Sequence, residues 1–406
     1  MNALRIGARS LGRNKRRTLV TTAAMALAGI IMIFYAALLN GFTDTLERNA
    51  LRMETGDVQI HAPGYRRDPD LYRRVPDPLA VVGRLEQAGL LAAPRLYGFG
   101  LAAAGRSSAG VQLRGIDVAH EDRVTLLHTH VAEGQWLDPS APTGVVVGKK
   151  LAKSLHVKLG DEVVLVGQAA DGSMANALYT VRGILAGVGE ELDRGGLFMT
   201  EGAFRDLMVV PDGAHEIAAV RPDRSMSLEE ATRRAAAAAP GMETSSWKTL
   251  KPALARMLES TLASQAFMLL ITYAAVAMVV LNATLMSVFE RIREFGVMRA
   301  LGVSPLGVAR VVLAEVLTQG VLAMGLAVVG GYALSGYFEH HGIDLRGLVN
   351  DASLVGITFD PVWYTRVTSA VLWIPAVSLL AVVLLAALYP GIKAAVIAPA
   401  EAMHHV

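Results

Sequence analysis

Four long stretches with almost no charged side chains constrain this chain more than any other feature of its sequence. A helix needs about 20 consecutive, mostly apolar residues to cross the hydrocarbon core of a bilayer. We predict membrane-spanning helices over residues 18–43, 260–289, 311–338 and 367–392, the third with Glu315 near its start. Only 18% of the residues are charged, against about 25% in an ordinary soluble domain. The chain is therefore predicted to be a multi-pass membrane protein.

The first stretch has one alternative interpretation, which is the apolar part of a signal peptide. Such a region is about 7–15 residues long and ends at a small-residue cleavage site. Residues 18–43 are longer and lead into Gly41-Phe42-Thr43-Asp44 without a convincing site. An uncleaved membrane helix is therefore favoured.

Basic residues in the short flanking segments predict the orientation, because lysine and arginine are retained on the cytoplasmic side. Residues 1–17 carry six basic residues and no acid, and residues 290–310 carry four arginines. Residues 339–366 reverse this bias, with four acids against two arginines. We therefore predict that both termini and the 290–310 segment are cytoplasmic, and that residues 44–259 and 339–366 lie outside.

The long segment 44–259 mixes strand and helix signals and is predicted to fold as an α+β domain. Short β-branched runs bounded by Gly, Asp and Pro indicate strands. Helical stretches are predicted at Leu79–Ala88, Lys149–Leu155 and Leu228–Ala239, the last with a Ser227-x-x-Glu230 capping box. We predict a β-rich lobe near 119–210 inserted in an α/β lobe. Stalk helices at its two ends (Thr43–Met53 and Ser246–Leu262) are predicted to continue the first two spans.

Several kinds of chemistry find little support in the sequence. The chain has no cysteine, which excludes disulfides and thiolate chemistry, and its net charge of +2 gives no support for a nucleic-acid partner. Gly144–Lys150 resembles a phosphate loop but is one residue short and lacks the hydroxyl that holds magnesium. His128 and His130 lack a third ligand at a metal-site spacing, and no GxSxG elbow is present. We predict no metal site and no enzymatic activity.

The segment 290–304 between the second and third spans has the spacing of a short charged helix. Ile292, Phe295 and Met298 recur every three to four residues. Gly302 suits the end of that helix, and Ser304-Pro305 suits the start of the next. A charged cytoplasmic helix of this kind offers a surface that a soluble motor protein can bind. The alternative interpretation is a plain amphipathic connector.

Two features of the third span concern packing and charge. Glycines let helices approach closely in lipid, and we predict helix-packing roles for Gly325, Gly330 and Gly331. Glu315 is a functional candidate because an ionisable group near the bilayer is costly. The alternative is that Glu315 reaches the interface and pairs with Arg310 or Arg299.

At the cytoplasmic segment the chain closely resembles the FtsX/MacB/Lol-type (type VII) ABC permeases. The residues that match the pattern of that family's loop are Glu290, Arg291, Arg293, Glu294, Phe295, Gly296, Arg299, Ala300, Leu301, Gly302, Val303 and Ser304. The layout of one span, a large outer domain and three more spans is similar to the family's. Residues 1–17 resemble its amphipathic elbow helix, and 390–403 resemble its C-terminal end.

The resemblance implies a mechanism and a set of partners. Residues 290–304 would be the coupling helix seated in a separate ABC ATPase, present in two copies. ATP and Mg²⁺ would belong to that ATPase, and this chain would hold no cofactor. A second permease copy or a paralogue would complete the membrane part, in a bacterial inner membrane with the large domain periplasmic. The stalk helices would transmit motion to the outer domain.

The substrate is less constrained, and the resemblance is nearest to the lipoprotein-releasing subgroup. Residues 55–62 resemble the strand that follows the stalk in that subgroup. A triacyl anchor needs a large apolar cavity, and candidate lining residues are Met25, Ile33, Phe34, Phe267 and Met268. The alternatives are export of a drug, peptide or other amphiphile through a periplasmic adaptor, and a signalling permease that regulates a periplasmic hydrolase or senses a peptide.

Overall fold

The computed structural model describes residues 15–223, 225–344, 353–354, 357–358 and 362–396. The chain divides into two compact units. The helical unit comprises residues 1–44, 258–348 and 362–406, and the α/β domain comprises residues 45–257 and 349–361. The predicted elbow helix lies outside the described residues except for residues 15–17, and the predicted tail 393–406 is described only to 396.

Twelve α-helices and fourteen strands are present in the described residues, with a short 3-10 helix at Leu127–His130. The helices are α1 (Lys15–Ala50), α2 (Pro78–Gln87), α3 (Val118–Val124), α4 (Lys149–Leu155), α5 (Glu190–Gly195), α6 (Glu201–Met208), α7 (Leu228–Ala238), α8 (Trp247–Leu250), α9 (Pro252–Glu290), α10 (Ile292–Ala300), α11 (Pro305–His341) and α12 (Ser369–Val396). The strands are β1 (Val58–His61), β2 (Leu91–Ala104), β3 (Ser107–Ile116), β4 (Val131–Gly134), β5 (Gly144–Val147), β6 (Glu162–Gln168), β7 (Met174–Leu185), β8 (Gly196–Thr200), β9 (Glu216–Val220), β10 (Glu243–Ser246), β11 (Ile343–Asp344), β12 (Ser353–Leu354), β13 (Ile357–Thr358) and β14 (Val362–Trp363). One π-helical turn, Leu51–Thr55, follows α1 directly.

Helices α1, α9, α11 and α12 are long and apolar enough to cross a membrane. They contain the four predicted spans, although α12 begins two residues later than the predicted start at 367. A mixed α/β domain lies in the sequence between the first and second of these helices. The predicted fold class is therefore confirmed. Helix α1 continues past its predicted span to Ala50, and α9 begins at Pro252, ahead of its predicted span. The predicted stalk helix 246–262 is interrupted at Lys251, because α8 ends at Leu250 and the residue before a proline disfavours the helical conformation.

Helices α1 and α11 pack closely because glycines remove side chains from both. A Cβ added at Gly29 would lie 2.5 Å from the Ala327 Cβ, and one added at Gly331 would lie 2.7 Å from the Ile33 Cγ2. Gly330 is similar, since its Cβ would lie 2.6 Å from the Ile30 Cδ1. Dispersion contacts between closely spaced backbones are a main source of helix association in lipid. These glycines therefore define the α1–α11 contact.

Gly325 behaves differently from the two glycines predicted with it. Nothing lies within 4 Å of a Cβ added at Gly325, and the residue is exposed. Within the described residues it therefore makes no helix contact that depends on its small size. The distinction arises because Gly325 lies on a different face of α11 from Gly331.

A second close approach occurs where the extended segment before α12 crosses α1. A Cβ at Gly41 would lie only 1.9 Å from the Tyr364 carbonyl oxygen. The Arg366 backbone N–H donates to the Ala37 carbonyl at 2.9 Å, and the Arg366 guanidinium pairs with the buried Asp44 carboxylate. The pair neutralises a carboxylate that would otherwise be costly to bury.

The α/β domain is built on one mixed ten-stranded sheet. The strand order is β10-β1-β9-β2-β3-β8-β5-β7-β4, and β6 pairs with both β2 and β7. Strand β2 is long enough to pair with β9 through its first half and with β6 through its second. The strands of the predicted lobe near 119–210 therefore join the same sheet as the rest of the domain. Its core packs α4 and α6 on the sheet through Leu151, Leu155 and Phe204.

We predict that Gly331→Ala destabilises the helical unit. The new methyl group would lie within 3 Å of Ile33, and overpacking of this kind costs about 1–3 kcal/mol. The matched control is Gly325→Ala on the same helix, which meets open space and should leave stability unchanged or raise it by about 1 kcal/mol. Thermal unfolding of both variants in detergent measures the difference. Equal stability of the two would contradict the packing assignment.

Candidate functional site

The predicted coupling residues surround the short helix α10, whose ends are fixed by local backbone chemistry. Gly302 adopts a φ of +89°, a conformation that favours glycine, immediately after the helix ends at Ala300. The Ser304 hydroxyl accepts a hydrogen bond from the Gly307 N–H at 3.2 Å, and Pro305 is the first residue of α11. A tight turn therefore connects α10 to α11.

One face of α10 is packed against the helical unit. Phe295 is buried with Val288, Val308, Val312 and Ala394, so that it joins α9, α11 and α12. Gly296 is also buried. In addition, the Arg299 guanidinium donates to the Ala395 carbonyl at 2.8 Å, near the end of α12. Helix α10 therefore contacts three of the long helices directly.

The other face of α10 is exposed and carries apolar side chains. Arg293, Val297, Ala300 and Leu301 are all exposed, at the spacing of one helical face, and Leu301 is 80% exposed. Leu306 at the start of α11 is exposed as well. The family pattern did not single out Val297 or Leu306, because it marks matched positions and not solvent exposure. We name Val297, Ala300, Leu301 and Leu306 the loop surface.

A partly buried ion triad joins α10 to α11. The Arg291 guanidinium donates to Glu315 Oε2 at 2.8 Å and to Glu294 Oε2 at 2.9 Å. It also lies 5.3 Å from the centre of the Phe295 ring. Glu315 therefore pairs with Arg291. The predicted alternative, a pair of Glu315 with Arg310 or Arg299, is wrong. The correction has a simple cause: Arg291 precedes α10 and is folded back onto α11 by the packing of Phe295.

Polar side chains surround this triad inside the helical unit. A small cavity of about 20 Å³ is lined by Thr21, Thr284, Ser287, Gln319 and Glu315, among others. This volume is about that of one water molecule. Polar groups are costly in a bilayer unless they are paired, so the cavity marks the polar end of the helix bundle.

The five residues predicted to line a lipid cavity are divided between two environments. Met25 and Ile33 are buried in the packed core of the helical unit, and the Phe34 ring lies 5.6 Å from the Phe338 ring. Phe267 and Met268 on α9 are exposed. Phe34 is half-buried, so the α1 residues are covered fully or in part, whereas the two α9 residues remain exposed.

In the α/β domain, Glu54 ties together the segments that lead from α1 and into α9. Glu54 lies on the π-helical turn, and its carboxylate accepts from Arg114 at 2.6 Å and from Lys251 at 3.3 Å. Arg114 belongs to β3, and Lys251 directly precedes α9. Burial opposes ionisation, but the charges of Arg114 and Lys251 lower the pKa of Glu54 to about 2. Sequence patterns did not mark Glu54, because its partners are distant in the chain.

A second buried network holds the π-helical turn to the sheet. The Arg95 guanidinium pairs with Glu121 and Glu216, each at 2.7 Å, and donates to the Glu54 carbonyl at 2.5 Å. All three side chains of this network are buried. Removing one partner from a buried pair leaves an uncompensated charge, which costs about 3–5 kcal/mol. The turn is therefore held rigidly on β2.

An exposed apolar face lies elsewhere on the sheet of the α/β domain. The register places Phe99 of β2 beside Gln168 of β6 and Met174 of β7, with Leu101 and Leu178 on the same side. Phe99 is 64% exposed and Met174 is 77% exposed. The face also includes Ala103, Val164, Val166 and Asn176, and the exposed Glu162 of β6 lies on the same side at its edge. Large exposed apolar patches on soluble domains mark interaction surfaces. We name Phe99, Leu101, Met174 and Leu178 the sheet face.

We predict that the Glu54 interactions stabilise the α/β domain near neutral pH and that this stabilisation is lost in acid. The pKa of Glu54 is lowered by folding, so its contribution is present above about pH 4.5 and is lost as the pH falls towards 2. The expected loss is about 2–3 kcal/mol, measured as the free energy of unfolding of the full chain in detergent. Glu54→Gln should remove this part of the pH dependence. The exposed Glu162→Gln is the matched control and should retain it.

Comparison with known families gives two matches to this chain. Residues 18–238 match the MacB-like periplasmic core domain, and residues 266–399 match the FtsX-like permease C-terminal family. A search of curated proteins found no match.

Three solved structures are similar to parts of the chain. The extracellular domain of the noncanonic ABC-type transporter YknZ from Gram-positive bacteria is 14% identical with a TM-score of 0.34, covering 46% of this chain and 92% of that one. The periplasmic region of MacB from Actinobacillus actinomycetemcomitans is 13% identical with a TM-score of 0.38, covering 52% and 97%. A domain of a putative permease protein from Porphyromonas gingivalis is 15% identical with a TM-score of 0.30, covering 48% and 87%.

The family matches rest on both parts of the chain. The MacB-like match alone spans more than half of the 406 residues, and the FtsX-like match covers α9 from residue 266 together with all of α10, α11 and α12. The chain therefore belongs to the FtsX-like permeases with a MacB-like periplasmic core domain, the membrane subunits of type VII ABC transporters.

Proposed function

We propose that this permease subunit couples ATP hydrolysis in a separate ATPase to the release of lipoproteins from the bacterial inner membrane. The observation that carries the proposal is the arrangement of α10. One face of this helix is packed on α9, α11 and α12, and the opposite face presents the exposed loop surface. A soluble partner bound to that surface can displace the long helices without any contact inside the membrane.

The loop surface has the character of a protein-binding site. Leu301, Val297 and Leu306 give it an apolar centre, and Arg293 lies at its edge. Binding sites commonly combine an apolar centre with a charged rim. We assign this surface to the ABC ATPase, with two ATPase copies serving a pair of permeases that consists of two copies of this chain or of this chain and a paralogue. ATP and Mg²⁺ are then cofactors of the ATPase, and this chain is a non-catalytic subunit.

The ion triad supports transmission from α10 to the membrane helices. Arg291 contacts Glu294 on α10 and Glu315 on α11 at hydrogen-bond distance. Charge-assisted hydrogen bonds are directional and stronger than neutral ones. A displacement of α10 therefore moves α11 with it. In the α/β domain, Glu54 plays the corresponding part, because it joins the end of the α1 segment to Lys251 at the start of α9.

The sheet face favours an amphiphilic substrate. An apolar surface with Phe99, Leu101, Met174 and Leu178 suits apolar chains, and methionine adapts its shape to irregular ligands. Each CH₂ group moved from lipid into water costs about 0.8 kcal/mol. Release of an acylated protein therefore requires both energy input and an apolar surface outside the membrane. Phe267 and Met268 on α9 remain candidates for the first contact within the bilayer.

The proposed orientation places α10 in the cytoplasm and the α/β domain in the periplasm. The chain has no cysteine, so single cysteines introduced at exposed positions report accessibility without background labelling. In this orientation, Leu301→Cys should be labelled only after the membrane is permeabilised. Met174→Cys should be labelled in intact spheroplasts.

We predict that Leu301→Asp uncouples the permease from its ATPase. A carboxylate at the centre of an apolar contact must be desolvated without a partner, which costs several kcal/mol and should reduce co-purification of the ATPase more than tenfold. Leu79→Asp is the control, since Leu79 is also exposed but belongs to the α/β domain. An ATPase that binds Leu301→Asp as tightly as the wild type would exclude the loop surface as its binding site.

We predict that Met174→Asp reduces release of an acylated protein while ATPase binding is unchanged. The added charge disrupts the apolar sheet face without affecting the core, because Met174 is almost fully exposed. Release is measured in proteoliposomes that contain a lipoprotein, the permease and the ATPase, with Leu79→Asp again as the control. Undiminished release would remove the sheet face from the mechanism. If the wild-type permease couples to its ATPase but releases no lipoprotein, export of another amphiphile would be favoured.

A further inference from the structure

A groove on the outer surface of the helical unit runs between α11 and α12. It has a volume of about 750 Å³, within the range of about 300–1,000 Å³ that is usual for ligand pockets. Its walls are apolar with one exception, and they consist of Arg310, Leu313, Ala314, Leu317, Ala381, Leu384, Leu385 and Leu388. All eight residues belong to helices that are long and apolar enough to cross a membrane.

The direction of the groove follows from the antiparallel packing of the two helices. Gly391 of α12 lies against Leu313 and Ala309 of α11, and Gly320 of α11 lies against Leu380 and Val383 of α12. Arg310 is therefore at the end of the groove near Leu388, and Leu317 is at the end near Ala381. The seven-residue step from Arg310 to Leu317 corresponds to about 10 Å along the helix. The groove thus has a cationic end and an apolar body.

Arg310 is unpaired among the residues that the structure describes. It is exposed, and no carboxylate within the described ranges forms an ion pair with its guanidinium. The nearest acid along α11, Glu315, is engaged by Arg291 at 2.8 Å. An arginine near the end of a membrane helix lies at the level of the lipid headgroups, where it attracts anionic lipids. The position therefore calls for an anion that approaches from the lipid side.

We propose that this groove is a binding site for an anionic phospholipid, with one acyl chain in the leucine-lined body and the phosphate on Arg310. Arginine binds phosphate through two parallel N–H···O bonds, which fixes the headgroup at the end of the groove. A net negative headgroup is favoured over a zwitterionic one because the site offers a single uncompensated positive charge. The inference is independent of the transported substrate.

The walls of the groove fit an acyl chain better than a further helix. Helix pairs in this unit meet through glycine, as at Gly331 against Ile33. In contrast, five of the eight residues of the groove are leucines, which hold a second backbone at a distance and leave room for a flexible chain. Lipid-facing apolar surface is common in membrane proteins, and it is the cation at one end that makes this surface specific.

The test uses the full chain reconstituted in nanodiscs of equimolar phosphatidylglycerol and phosphatidylcholine, then released into mild detergent. Retained lipids are counted by native mass spectrometry. Wild-type protein should retain phosphatidylglycerol preferentially, and Arg310→Gln should lower that preference by about fivefold. The matched control is Lys393→Gln, because Lys393 is an exposed cation of α12 that lies over the Phe289 and Tyr389 rings, outside the groove. The preference of Lys393→Gln for phosphatidylglycerol should equal that of the wild type.

A second variant tests the acyl-chain part of the site separately. Ala381→Phe places a ring in the body of the groove while Arg310 is untouched, and it should lower retention of both phospholipids. Thermal unfolding of each variant shows whether the helical unit is intact. Equal retention of the two lipids by wild-type protein would overturn the proposal, as would equal losses in Arg310→Gln and Lys393→Gln. Cross-linking of Leu317→Cys between two copies in nanodiscs would show that a protein surface occupies the groove instead.

Discussion

The close approach of α1 and α11 is the contact on which the helical unit depends. In lipid there is no hydrophobic force to drive helices together, so association relies on dispersion between closely packed backbones. Gly29, Gly330 and Gly331 make this possible, because a methyl group at any of them would lie within 3 Å of a neighbouring atom. Helix α12 then covers the same seam, with Leu379 and Val383 in the shared core. The seam also buries Met25 and Ile33 and leaves α9 as the most exposed of the four helices.

The charged groups that lie deepest in the described part of the helical unit are paired. Arg291 lies between Glu294 and Glu315, and Asp44 is paired with Arg366. Each pair fixes a connecting segment to a long helix: the first holds α10 on α11, and the second holds the segment before α12 on α1. In the same unit Arg310 lacks such a partner within the described residues, which is why it is informative. Ion pairs here act as positioning contacts, since their net contribution to stability is offset by desolvation.

The α/β domain uses buried charge in the same way. Arg95 and Arg114 lie on neighbouring strands, and they hold the π-helical turn through Glu54, while Glu121 and Glu216 compensate Arg95. The turn is thus bound to β2, to β3 and to Lys251 by directional contacts. A π-helical turn is a rare element that is frequently found at functional positions. In the chain it lies directly after α1.

The sequence by itself determined the four spans, the α+β character of residues 44–259 and the family, because hydrophobic length, period and the 290–304 pattern are local signals. It also placed Gly302 and Ser304 at helix ends, where local backbone chemistry decides. Only the tertiary structure decided that Glu315 pairs with Arg291, that Gly325 faces open space, and that Met25 is covered while Phe267 is free. These outcomes depend on which helix faces meet and on residues distant in the chain. No local pattern encodes that geometry, since the same glycine or glutamate suits either face until the helices have packed.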